Sequence, residues 1–200
     1  MLEELEAINE AVQEFSPLAQ DWTTDYSYKL SEFCDITEFE DRTSWAVEDF
    51  LTRDCTRDIP YGYASLDLRE GYMQDFHDNF SEFSGYSDNL NFRSDMGCYE
   101  LGAFNPETKQ IDLNARLLAD ADPREVMTTI IHESRHAFQD FAVNHPEQVS
   151  VSPQTIAEWK FNFDHYILPE FDFEAYVSQP IEADANDFAE EMYNRGFSNA

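Results

Sequence analysis

The chain has 200 residues, of which 42% are hydrophobic, and its 42 acidic against 12 basic side chains give a formal net charge of −30. This length suits a single domain, or a domain with an appended subdomain, and is ample for a hydrophobic core. A surface this acidic repels nucleic acid and anionic membranes, and the sequence contains no run of about 18 apolar residues that could span a bilayer. We therefore expect partners of other classes, while the oligomeric state stays open.

The N-terminus and the cysteines bear on the cellular compartment. Residues 1–6 have neither the basic nor the apolar region of a signal peptide, so we expect a cytoplasmic protein, with a specialised secretion route left open. Cys34, Cys55 and Cys98 are widely spaced and form no C-x-x-C pair, which argues against a disulfide framework and against a thiolate zinc site. We expect buried free thiols in a reducing compartment.

The first half of the chain gives weak signals of secondary structure. Apolar residues at helical spacing predict an amphipathic helix over residues 2–15. Residues 18–60 are predicted to hold two short helices, the clearer one around residues 45–51. Residues 61–97 are rich in Tyr, Asp, Ser and Asn and show no clear period, so no element is assigned there. We treat residues 1–97 as an N-terminal helical extension or lobe.

A β-hairpin is predicted directly after this region. Residues 98–104 and 110–114 read as strands, and residues 105–109 as the turn between them. Asn105 followed by Pro106 gives the turn a physical basis, because Asn favours the first turn position and Pro presets the backbone angle of the second.

The strongest helix prediction begins at Asp122. Asp122 suits the N-cap, Pro123 the first helical position and Glu125 the third, as in a capping box. An apolar stripe follows, and His145 with Pro146 ends the helix.

Two more helices are predicted, over residues 154–168 and 181–195. In the second, apolar residues recur at helical spacing from Ile181 onwards. Gly196 suits the position just past a helix C-terminus, so it is predicted to end that helix.

The helix that begins at Asp122 contains the motif H-E-x-x-H, formed by His132, Glu133 and His136. Two histidines four residues apart project from one helix face, so both can direct a nitrogen at the same ion. Glu133 lies on the adjacent face, where it can take a proton from a water molecule that attacks a carbonyl group. Chance produces this motif on the order of 0.01 times in a chain of this composition. The alternative is a surface helix with two solvated histidines, and Arg135, which we expect to pair with a nearby acid, departs from the usual motif.

A catalytic zinc site normally has three protein ligands, so a third one is needed here. A third histidine at the metzincin spacing is absent, and His145 follows the helix end too closely. Glu182 is favoured because it opens the last helix at the edge of the apolar stripe, among small residues that allow close helix approach. Its alternative role is that of a first-turn acid that complements the helix dipole. His165, Asp184 and Asp187 are the other candidates for the ligand.

These motifs resemble the gluzincin branch of the zincins. The resemblance rests on three segments, G-x-F-x-P-x-T-x-x-I-x-L-N, I-I-H-E-S-R-H-A-F-Q and Q-P-I-E-A-D-A. They span about residues 98–195, the predicted metal-binding core, and are similar to small bacterial zincin-like domains, some of them found in toxin and effector proteins. The resemblance implies zinc ligands at His132, His136 and Glu182, a catalytic base at Glu133, and a hairpin strand that pairs with an extended substrate.

One position departs from the gluzincin pattern, which usually has an Asp four residues after the ligand Glu. This chain has Asn186 there. Asn186 or Asp187 is therefore predicted to supply the hydrogen-bond partner of a ligand histidine. Tyr176 and His165 are candidates for the donor that stabilises an oxyanion, and Tyr99 is a weaker one.

The sequence thus predicts a single α+β domain of zincin type over residues 1–200, with the active-site helix beside a small hairpin or sheet and additional helices. The expected activity is peptide-bond hydrolysis with Glu133 as the general base, one Zn²⁺ per chain as cofactor and a peptide or protein as substrate. One alternative is a non-catalytic module with a structural or vestigial metal site. The other is an acidic interaction or inhibitor protein that mimics nucleic acid. The spread of acids over the whole chain favours salt adaptation over such mimicry.

Overall fold

The computed structural model describes residues 36–86, 90–97 and 100–200. Outside these ranges lie the helix predicted over residues 2–15 and three residues considered above, Cys34, Cys98 and Tyr99. Within them the fold is α+β, as predicted, with seven α-helices and one mixed three-stranded sheet.

The elements of the described residues follow one another in the order α1 (Ile36–Asp54), α2 (Leu66–Asp78), β1 (Leu90–Arg93), β2 (Gly102–Asn105), β3 (Gln110–Asn114), α3 (Ala115–Asp120), α4 (Pro123–Asn144), α5 (Pro153–Asp164), α6 (Phe173–Val177) and α7 (Pro180–Asn199). Short 3-10 helices occur at Tyr61–Tyr63, Ser81–Ser84 and Pro146–Gln148.

The first half of the described chain contains more regular structure than its weak sequence signals indicated. Residues 45–51, predicted as a short helix, lie within α1, which is a single helix of 19 residues. Its buried face includes the small polar residues Thr43 and Ser44, which interrupt the apolar period. Residues 61–97, to which no element was assigned, contain α2 and β1.

The helix that carries the H-E-x-x-H motif begins as predicted, whereas the end of the last helix does not follow the prediction. Asp122 caps α4, because its side chain accepts a hydrogen bond from the Glu125 N–H. Gly196 lies within α7 rather than after it. A Cβ atom at Gly196 would come within 2.6 Å of Val47 Cβ, so glycine is needed there for the close approach of α7 to α1. Helix α5 ends at Asp164, four residues before the predicted end at residue 168.

Helix α4 is central to one hydrophobic core that is shared by the described elements. Phe39 of α1 stacks against Phe138 of α4 and Phe188 of α7, with ring centroids 5.5 Å and 5.0 Å apart. Ile111 and Leu113 of β3 belong to the same core. The described part of the predicted N-terminal lobe therefore packs together with the predicted metal-binding core.

The sheet has the strand order β1-β3-β2. Strands β2 and β3 form the predicted antiparallel hairpin, in which Gly102 pairs with Leu113 and Phe104 with Ile111, but β2 begins only at Gly102 and includes Asn105, which was predicted to lie in the turn. Strand β1 pairs with β3 in parallel, a pairing that the sequence did not predict. The turn is held by the Asn105 side chain, which accepts backbone hydrogen bonds two and three residues ahead.

Two further expectations concern the surface of the described residues. Cys55 is a free and exposed cysteine, so the expectation of buried thiols is wrong for this residue. It lies just after the C-terminal end of α1, where the chain turns at the surface and no core is available to cover it. None of the described helices is both long enough and apolar enough to cross a membrane.

Candidate metal centre

His132 and His136 lie one turn apart on α4 with their rings directed at the same point. Their Nε2 atoms are 3.0 Å apart, and the ring planes are nearly perpendicular at 86°. Both side chains are mostly buried, since only 15% and 12% of their side-chain surface is exposed. The spacing of the two histidines along the helix thus brings their Nε2 atoms close together, as the sequence predicted.

Glu182 reaches the same point from the first turn of α7. Its Oε2 atom lies 3.4 Å from His132 Nε2, and its Oε1 atom lies 3.3 Å from His136 Nε2. The side chain has no solvent exposure at all. The structure therefore brings together His132, His136 and Glu182 as a group of side chains that could hold a metal ion, with ligand atoms within 4.8 Å of one another.

The spacing and chemistry of this group fit a divalent metal such as zinc. Bonds of about 2.0–2.1 Å in tetrahedral geometry place neighbouring ligand atoms about 3.3 Å apart. The two imidazole nitrogens are 3.0 Å apart, and each has its nearer Glu182 oxygen at 3.3 Å or 3.4 Å. In addition, Glu182 Oε2 is buried without any hydrogen-bond partner among the described residues, which is costly for a carboxylate oxygen unless a cation binds it.

The charges of the group are mutually stabilising. Burial alone raises the pKa of Glu182, but the contacts of its carboxylate with the imidazoles of His132 and His136 outweigh it and hold that pKa well below its usual range. Burial lowers the pKa of His136, yet the hydrogen bond to Glu182 and the charge of Glu133 give a net pKa above the usual value. Glu182 is therefore an anion at neutral pH, which is the form that binds a metal ion.

Gln139 orients the His136 ring. Its amide nitrogen donates to the Ile181 carbonyl at 3.0 Å and to Asp184 at 2.7 Å, so its amide oxygen must face the other way. That oxygen lies 2.8 Å from His136 Nδ1 and accepts the N–H there. Because Nδ1 carries the hydrogen, the neutral ring has its lone pair on Nε2, the atom that faces Glu182 and His132.

Arg135 makes the ion pair that the sequence led us to expect. Its guanidinium donates two hydrogen bonds to Asp184, at 2.8 Å and 3.1 Å, and so ties α4 to α7 beside the metal centre. It also lies 4.5 Å from the centroid of the Phe188 ring. Asp184 is thus used by Arg135 and Gln139. Asn186 and Asp187, predicted as partners of a ligand histidine, are exposed on α7, and Gln139 makes that contact instead.

Glu133 is buried and held by the hairpin. Its Oε2 atom accepts a hydrogen bond of 2.8 Å from the backbone N–H of Phe104 in β2. Strand β2 can approach this closely because residue 102 is glycine: a Cβ there would lie 2.8 Å from Thr129 Cγ2 and 3.2 Å from Glu133 Cγ. The edge strand and the carboxylate are thereby fixed relative to each other.

Tyr166 is a residue of this centre that sequence reasoning missed. Its hydroxyl donates a 2.6 Å hydrogen bond to Glu182 Oε1. Burial and this hydrogen bond raise its pKa, so the hydroxyl stays protonated at neutral pH. Tyr166 lies in the connection after α5 and no spacing rule marks it, because only the tertiary fold brings that connection to α7.

Tyr176 and His165, the predicted oxyanion donors, differ in their surroundings. The Tyr176 ring packs edge-on against Tyr166 at 6.1 Å, and burial with the nearby charge of Glu182 raises the pKa of its hydroxyl. His165 is exposed, stacks on Phe161, and donates from Nδ1 to the Phe161 carbonyl. Its side chain is not part of the group around Glu182.

Comparison of the chain with known protein families, curated proteins and solved structures found no match.

Proposed function

We propose that this protein is a zinc-dependent peptidase of gluzincin type, with one zinc ion per chain held by His132, His136 and Glu182. The observation that carries the proposal is the convergence of two imidazole nitrogens and one buried, unpartnered carboxylate oxygen, with the carboxylate of Glu133 beside them. Two histidines and one carboxylate are a donor set typical of catalytic zinc sites.

The residues around the centre have separate tasks in hydrolysis. A bound zinc ion supplies a Lewis acid and makes a water molecule nucleophilic at neutral pH. Glu133 accepts the proton of the attacking water and passes it to the leaving amine. The Phe104 N–H keeps the Glu133 carboxylate in place for this transfer, since it fixes one of the two oxygens. Tyr166 donates its one hydroxyl hydrogen to Glu182, so Tyr176, whose hydroxyl stays protonated beside it, is the better-placed donor to the developing oxyanion.

The hairpin supports a peptide as the substrate. Strand β2 lies at the edge of the described sheet, with its Phe104 N–H turned away from β3 and towards Glu133. An extended polypeptide can add to such an edge through main-chain hydrogen bonds. This is the role that the resemblance to gluzincins implies for the hairpin.

The test compares metal content and hydrolysis in matched variants. Glu133→Gln keeps the size of the side chain and removes the base, while Glu191→Gln makes the same change at an exposed site on α7. We expect about one zinc per chain in both variants, and a loss of hydrolysis by roughly 10²–10⁴ in Glu133→Gln only. Absence of any bound transition metal would refute the proposal, and zinc binding without cleavage of unfolded protein substrates would favour a non-catalytic module.

A further inference from the structure

An unusual share of exposed apolar side chains lies beside the candidate metal centre. Of the 14 large hydrophobic residues exposed in the described chain, 7 fall within residues 161–177. We call this segment, which joins α5 to α7 and includes α6, the aromatic–acidic lobe. Its exposed apolar residues are Phe161, Tyr166, Ile167, Leu168, Phe171, Phe173 and Val177. Such a concentration, unlike single scattered residues, marks a binding surface.

The lobe is continuous with the metal centre. Tyr166 donates to Glu182, its ring packs against Tyr176, and the Tyr176 ring lies 6.2 Å from that of Phe173. A molecule that extends from the centre over Tyr166 therefore meets Tyr176 and then Phe173.

Polar contacts hold the backbone of the lobe in place while its apolar side chains stay outside. The buried Gln179 amide accepts from the Ile167 N–H and donates to the Ile167 carbonyl, at 2.8 Å and 3.1 Å. The Asp172 side chain caps α6 through the Ala175 N–H. As a result, Phe171 is 83% exposed and Phe173 is 64% exposed on a fixed backbone. A backbone that is already held in this way loses little further entropy on binding.

The charge of the lobe selects among occupants. It contains no Lys or Arg, and four exposed acids alternate with its aromatic residues: Asp164, Glu170, Asp172 and Glu174. A second copy of this chain would bring the same acids and a further net charge of −30 against them, and an anionic membrane would be repelled for the same reason. Polypeptide segments that combine basic with apolar side chains complement both features of the surface.

We propose that the aromatic–acidic lobe is the substrate-recognition surface of this protein and that it binds extended segments in which Lys or Arg is interspersed with apolar residues. This inference rests on the proposed function, because it names the substrate class of the same site. The apolar side chains of the segment cover Phe171 and Phe173, while its basic side chains meet the surrounding acids.

The experiment measures peptide binding separately from hydrolysis. The full chain carrying Glu133→Gln is titrated, with zinc and without it, against a fluorescent peptide of Lys, Leu and Gly, and against matched peptides of Glu, Leu and Gly or of Lys, Ser and Gly. We expect the Lys–Leu–Gly peptide to bind in both states. The paired change Phe171→Ser and Phe173→Ser should weaken this binding roughly ten- to thirtyfold.

The control variant is Phe197→Ser paired with Tyr63→Ser. These aromatics are 61% and 87% exposed, so the change in surface hydrophobicity is comparable, but they lie outside the lobe. Phe197 is 15 residues, or about 22 Å of helix, beyond Glu182. The control should bind the peptide like the parent, and thermal melting of both double variants should match the parent, since none of the four residues is buried.

Several outcomes would overturn the inference. These are equal binding of the Glu–Leu–Gly peptide, unchanged binding by the lobe variant, and a concentration-dependent dimer in the parent that the lobe variant abolishes. The last result would make the lobe an interface between copies. If the lobe variant loses peptide binding while the wild-type chain hydrolyses nothing, the peptidase proposal fails and the recognition surface stands. If wild type hydrolyses peptides and Phe171→Ser with Phe173→Ser, made in a chain that keeps Glu133, has the same KM, the peptidase proposal stands and the recognition surface fails.

Discussion

The most specific prediction about the metal centre concerns the buried carboxylate of Glu182 and its effect on stability with and without zinc. Its Oε2 atom has no hydrogen-bond partner among the described residues, although the side chain is fully buried. Glu182→Gln keeps the shape and the bond to Tyr166 but removes the negative charge. We expect this variant, without metal, to be no more stable than the wild-type protein, because it loses the contacts that the charged carboxylate makes with His132 and His136.

Zinc should stabilise the wild-type protein much more than the Glu182→Gln variant. Free zinc at 100 times the dissociation constant stabilises the wild type by about 2.7 kcal/mol. For a chain of this length, that corresponds to a rise in Tm of about 5–11 °C. Loss of a direct ligand should weaken binding by more than the 10–100-fold that is typical for residues behind the ligands. At the same zinc concentration the variant would then gain about 0.4 kcal/mol or less, a shift of about 2 °C at most.

Differential scanning fluorimetry over a zinc titration measures both effects, and calorimetric titration at 25 °C gives the affinities directly. Glu191→Gln, an exposed change on the same helix, serves as the control and should keep the full zinc-dependent shift. A full shift in Glu182→Gln would show that this carboxylate does not bind the metal. The reasoning from its burial and position would then be refuted.

Three further predictions concern neighbouring residues. Gln139→Leu should reduce zinc affinity about 10–100-fold, because His136 loses the acceptor for its Nδ1–H, while exposed Asp187→Ala should leave the affinity unchanged in the same titration. Gly102→Ala should destabilise the fold by about 1–3 kcal/mol in denaturant unfolding and lower kcat with zinc still bound, because the added methyl presses on Thr129 and Glu133. Burial lowers the pKa of His77 to about 4, so the unfolded chain takes up this proton first as pH falls below 6.5, and stability is lost between pH 6.5 and 4 by up to about 1.4 kcal/mol per pH unit. His77→Phe should remove that part of the slope, and an unchanged slope in urea unfolding would contradict it.

Local signals account for what the sequence predicted well. The cap at Asp122, the helical period of α4 and the turn at Asn105 depend on residues only a few positions apart, and the structure contains all three. Glu182 was also identified from local features, since its position at the edge of an apolar stripe puts it where α7 meets α4.

Contacts between distant segments account for what the sequence did not predict. The parallel pairing of β1 with β3 joins residues about twenty positions apart across a connection without a repeating pattern. Tyr166 reaches Glu182 only because Gln179 holds its connection against α7. Gly196 has the features of a helix-ending residue, and only the proximity of α1 explains why it lies inside a helix.

The ion pair between Arg135 and Asp184 bears on how the chain would handle its metal. It joins α4 to α7 directly, and Gln139 adds two more hydrogen bonds between the same helices. The histidines and Glu182 are therefore already assembled by contacts that need no ion, unlike the ligands of zinc fingers, which fold only when loaded. A chelator should remove the metal from such a centre without unfolding the protein. Added metal should then bind again without any refolding of the chain. Occupancy would then follow the free metal concentration around the molecule, so the hydrolysis that we propose would stop where zinc is scarce and proceed where zinc is plentiful.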